Sequence, residues 1–103
     1  MDRLATLKQV LDQNPDDTFA RYALAMEFSR QGEVETALAE FTTLRNQHPE
    51  YIAAYQMAAQ MLASAERTQE ARQWLEQGIA AAQRAGNQHA QWEMEMLRDE
   101  LPE

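Results

Sequence analysis

The chain has 103 residues, 45% hydrophobic and 25% charged, with seventeen acidic residues against nine basic ones and a formal net charge of −8. That length and composition fit one ordinary globular domain with a modest core. Such acidity opposes nucleic acid and anionic membranes, which draw affinity from clustered basic groups, and the lack of cysteine removes disulfides, thiolate metal sites and a cysteine nucleophile.

No apolar run is long enough to span a bilayer, and Met1-Asp2-Arg3-Leu4 leads into alternating polar and apolar residues rather than a basic-then-apolar leader. We therefore expect a soluble, cytoplasmic chain. Strand signals are nearly absent, because the bulk of the sequence is Ala, Leu, Met, Glu, Gln and Arg, all good helix formers. A first helix lies within residues 1–17, ending at Asn14-Pro15-Asp16-Asp17. A second runs to the break at Gln31-Gly32, and a short third fills the space before His48-Pro49. The fourth must break near Ser64 to Thr68. A fifth can run unbroken from Ala71 to Ala85 until Gly86-Asn87 stops it, and the last occupies about Gln88 to Glu100.

The spacing carries more than the helices do. Pro15 and Pro49 lie ~34 residues apart, and the same shift takes Leu7 to Phe41 to Leu75, Leu24 to Ala58, Ala25 to Ala59, Phe28 to Leu62 and Ala37 to Ala71. Small residues at 25, 37, 59 and 71 suit the close approach of two helices in one hairpin. Gly32 suits a left-handed residue just past a helix end, and Pro49 cannot continue the helix before it. At the matching position 66 stands Glu, so that turn must place a non-glycine residue at some cost or use another geometry.

A helix-turn-helix period of this length, with Leu24-Ala25, Phe28, Gly32, Ala37, Phe41, Leu44 and Pro49 in the first full repeat, resembles the tetratricopeptide-repeat (TPR) family. The second repeat matches through Tyr55, Ala58-Ala59, Leu62, Ala71 and Leu75, and restores the front aromatic that Arg21 replaces in the first; it lacks the turn glycine and has Gln83 for the terminal proline. The resemblance implies an all-α fold, an α-α superhelix of TPR hairpins with about six antiparallel helices. It divides the chain into a half-repeat helix (1–17), repeat 1 (18–51), repeat 2 (52–85) and a C-terminal capping helix (86–103).

In that family the first helix of each hairpin lines a concave groove that holds a ligand. Carried over, those positions are Phe19, Tyr22, Met26, Ser29 and Arg30, then Ala53, Gln56, Gln60, Ala63 and Ser64. Phe19, Tyr22 and Met26 form one stripe at helical spacing, of a make-up suited to adaptable apolar contact; the competing reading packs Phe19 and Tyr22 on the N-terminal helix. The Lys and Asn clamp that some TPR domains close on acidic tails would fall at Tyr22, Met26 and Met57. None matches, so acidic tails are not the expected ligand.

On the last helix Ala90, Met94, Leu97 and Leu101 share a face, which leaves Trp92 and Met96 on the other as a second patch. The expectation we favour is that this terminal helix rolls and buries both faces in part. His48 and His89 belong to no catalytic motif, and no phosphate loop, paired-histidine metal motif or nucleophile elbow is present. Glu33 with Glu35, and Glu93 with Glu95, point to different sides of their helices and read as solvated charges. The sequence thus predicts a non-enzymatic adaptor that binds a peptide or helix of a partner protein in its groove, with no cofactor, metal or small-molecule substrate. The alternative is a self-associating module, a homodimer through its end helices.

Overall fold

A computed structural model describes residues 2–103 and contains six α-helices: α1 (Arg3–Gln13), α2 (Thr18–Arg30), α3 (Val34–Gln47), α4 (Ile52–Ser64), α5 (Thr68–Ala85) and α6 (Gln88–Glu100). No strand occurs among the described residues. Contacts divide the chain at its second proline turn into two compact units, residues 1–48 and residues 49–103. In the first, α1 packs on α2 and α2 on α3; in the second, α4 packs on α5 and α5 on α6.

The helix ends follow from local chemistry. Asp2, Asp17 and Asn87 cap α1, α2 and α6, each accepting a hydrogen bond from the backbone N–H three residues on, at 2.8, 2.9 and 3.0 Å. These bonds satisfy donors that the first turn of a helix leaves open. Helices α2, α4 and α5 end alike. Gly32, Glu66 and Gly86 adopt φ of 80°, 63° and 69°, and the next residue donates to the carbonyl five positions back: Glu33 to Phe28 (2.9 Å), Arg67 to Leu62 (2.8 Å) and Asn87 to Ala82 (2.9 Å). This is the Schellman closure, for which glycine is the usual left-handed residue. At 66 the chain keeps the geometry and sets a glutamate in it.

The small-and-large pattern appears in the packing. Ala25, Ala37, Ala59 and Ala71 are essentially solvent-free, as are Phe41, Leu44, Leu62 and Leu75. Each such large side chain contributes about 1.5–3 kcal/mol by leaving water. In the first unit Leu11, Ala20 and Leu24 form a core against which Leu4, Leu7 and Phe28 pack half-buried. The second unit is denser: Gly78 on α5 faces both α4 and α6, and a Cβ there would stand 2.6 Å from Tyr55 Cβ and 2.6 Å from Met94 Sδ.

One correspondence between the units lies in side-chain chemistry. Arg21 donates from its guanidinium to the Pro15 carbonyl at 3.0 Å and pairs with Glu40 at 2.7 Å. One period on, the Tyr55 hydroxyl donates to the Pro49 carbonyl at 2.6 Å and its ring packs on Trp74, centroids 6.1 Å apart. Both pairs hold a proline-turn carbonyl and bridge the two helices of a hairpin. One uses charge and the other aromatic area.

Candidate protein-docking site

Counted from their first residues, α2, α4 and α6 carry Tyr22 and Met26, Gln56 and Gln60, and Trp92 and Met96 at their fifth and ninth positions. A four-residue step keeps each pair on one face of its helix. In the second unit two of these pairs come together. Gln56 and Gln60 on α4, with Trp92, Glu93, Met96, Leu97 and Glu100 on α6, line a groove of about 230 Å³.

α6 is held there by its opposite face. Met94 is fully buried against the space Gly78 leaves, and Ala90 is buried one turn earlier. Trp92 is 57% exposed and Met96 46%. The expectation that the terminal helix rolls and buries both faces in part is therefore corrected. The Ala90–Met94 side has a tight socket and takes the burial, so Trp92 and Met96 stay open. His89 lies beside them, its ring centroid 6.4 Å from that of Trp92 and its Nε2 3.5 Å from Glu93. Of the other α4 positions expected in a groove, Ala53 and Ser64 are exposed and Ala63 half-buried, and none lines this one.

In the first unit Phe19 is 73% exposed, which rules out its packing on the N-terminal helix. Tyr22 is half-buried and meets Phe41 of α3 edge-on, centroids 6.5 Å apart. Met26 and Ser29 are half-buried and Arg30 exposed, its guanidinium paired with Glu27. A separate cleft of about 460 Å³, which the sequence did not point to, opens on another side of α2. Lys8, Asp12, Arg21, Thr36 and Glu40 ring it over Leu11, Leu24 and Phe28. Arg21 at a position expected to be aromatic is its one sequence signal. An ion pair there fills less space than the Tyr55–Trp74 pair does, and it leaves Arg21 Nε buried with no hydrogen-bond partner among the described residues.

The joining of Gln56 and Gln60 with Trp92 and Met96 also escaped the sequence reading, because α6 starts out of strict repeat phase. Aligning helix starts, rather than the period, recovers it. Among the described residues no group of three His, Asp or Glu is placed to hold a metal ion, and no helix is long and apolar enough to cross a membrane.

The hairpins, their shared turn geometry and the recurring fifth and ninth positions define an all-α helical-repeat protein. No family model and no curated protein matches the sequence. Solved structures do. The solution NMR structure of a tetratricopeptide repeat domain protein from Salinibacter ruber is 32% identical, with a TM-score of 0.75, over 82% of this chain and 86% of that one. A crystal structure of a tetratricopeptide repeat domain protein from the same organism is 32% identical at TM-score 0.70, over 80% and 92%. The solution structure of a Bordetella parapertussis protein is 25% identical at TM-score 0.83, over 98% and 88%. The chain belongs to the tetratricopeptide-repeat family.

Proposed function

We propose that this chain is a non-catalytic protein-interaction module, and that a peptide or helix of a partner protein docks in the groove between α4 and α6. Family membership supports the general reading, since helical repeats of this kind are typically interaction modules. The observation that carries the specific one is the convergence of Gln56, Gln60, Trp92 and Met96 on one open groove. Trp and Met give adaptable apolar contact there, and the two amides offer donors and acceptors to a peptide backbone. Tyr22 and Met26, with Phe19, Ser29 and Arg30 beside them, form a second contact surface of the same kind on α2. Ala53, Ala63 and Ser64 flank the amides on α4.

The test is site-specific photo-crosslinking in cells, with a benzophenone side chain replacing Gln56, Trp92 or, as a control on the exposed side of α5, Gln73. We expect one shared partner from the first two positions and none from the third. Equal labelling from all three would remove the groove from the account. A second reading, self-association, draws support from the exposure of Val10 and Phe19 as well as Trp92. It predicts crosslinks to the chain itself and a solution mass that rises with concentration, whereas groove docking predicts a monomer throughout.

A further inference from the structure

We infer that the segment bound between α4 and α6 presents a lysine or arginine side chain among apolar ones, with its cation over Trp92 and between Glu93 and Glu100; this rests on the docking reading above. The groove contains two carboxylates, two amides, an open indole and the apolar Met96 and Leu97, and no lysine or arginine lines it. Three arginines of this unit are engaged elsewhere, Arg98 with Asp99 at 3.6 Å, Arg67 with Glu70 at 2.7 Å and Arg72 with the Pro102 carbonyl at 3.2 Å. Within a chain of net charge −8, an acidic ligand would meet uncompensated repulsion at this site, while a cation would find both carboxylates and an aromatic face.

The chain supplies a small precedent. The His89 imidazole already sits against this ring and carboxylate, beside Trp92 and 3.5 Å from Glu93. A longer side chain entering from a partner can use the same pair and also reach Glu100, one helical turn beyond Met96. Gln56 and Gln60 on the facing wall would then meet the ligand's backbone, fixing its direction without adding charge.

The experiment is an unbiased selection of random peptides displayed on phage against the intact chain. The selected peptides are then synthesised and titrated against the wild type, Trp92→Ala and the double variant Glu93→Gln/Glu100→Gln, each checked for unchanged helicity. We expect the selected peptides to be enriched in lysine or arginine. Their affinity should fall roughly five- to tenfold in either variant, and by a similar factor when the peptide cation is replaced by a neutral isostere. Neutral or acidic peptides that still need Trp92 would overturn the cation while leaving the groove in place. Peptides indifferent to Trp92 and to both glutamates, or a selection that yields nothing, would overturn the groove as well.

Discussion

Glu66 and Gly78 are each at odds with their backbone surroundings in opposite ways. Glu66 holds φ of 63° where Gly32 and Gly86 do the same job, and an L residue in that region costs about 1–2 kcal/mol. Glu66→Gly should therefore raise the melting temperature by several degrees, part of the gain being returned through the freer unfolded chain. Thermal denaturation followed by circular dichroism reads this directly, and Gly32→Ala should move it the other way. Gly78 sits inside a helix, where alanine is ordinarily better by about 1 kcal/mol. Here the added Cβ meets Tyr55 Cβ, which is fixed to its backbone, as well as the more yielding Met94. Overpacking of this kind costs about 1–3 kcal/mol, so Gly78→Ala should lower the urea midpoint despite the propensity gain. At Glu70 two hydrogen bonds from Arg67, aided by its charge, hold the carboxyl below the usual carboxylate range. A depressed carboxyl stabilises the fold above its unfolded pKa and loses that contribution as pH falls through its folded one. Glu70→Gln should then cost a few tenths of a kcal/mol at neutral pH, as exposed pairs do. The difference should close in acid below the ordinary carboxylate range.

Between elements, the exchange of an ion pair for an aromatic pair is the feature most open to test. Side chains of Arg21 and Glu40 are 15% and 23% exposed, so removing one strands the other in a poorly solvated place. We expect Arg21→Ala and Glu40→Ala each to cost about 1–3 kcal/mol, and the double variant to cost clearly less than their sum. Arg21→Tyr with Glu40→Trp, copying the second hairpin into the first, should match or exceed the wild type, while Glu40→Trp alone should not. Denaturant unfolding of the set closes the cycle. This pair also marks where the sequence stops being legible. Turn signals located the helices and the left-handed turn at Gly32, and the period singled out Glu66 as a costly residue or a change of turn geometry, because each depends on residues near in sequence. It flagged Arg21 as a departure but could not supply Glu40, since periodicity reports which face a residue occupies and not what stands opposite. The same gap separated Gln56 and Gln60 from Trp92 and Met96, and led the α6 reading to favour a rolled helix over an anchored one. Met94 and Gly78 decide that question, and nothing in either residue's own neighbourhood announces the other.

Across the molecule, burial is uneven in a way that ranks the helices by stability. α1 has a single buried residue, Leu11, and packs chiefly on α2, whereas α5 buries seven and lies between α4 and α6. Native-state hydrogen exchange should find α1 amides opening first, at a small fraction of the global unfolding free energy, and α5 amides last. Uniform protection along the chain would contradict that ranking. The missing side chain at Gly78 reaches further than stability. Met94 rests in that vacancy on one face of α6 and Trp92 stands on the other, so the hydrogen atom at Gly78 acts as a shim that sets how far α6 stands from α4. A substitution there would alter the gauge of the proposed docking groove without touching any residue in it. Under the docking proposed above, ligand preference would thus be retuned from behind the wall, at a position that a map of contacts to the ligand would never include.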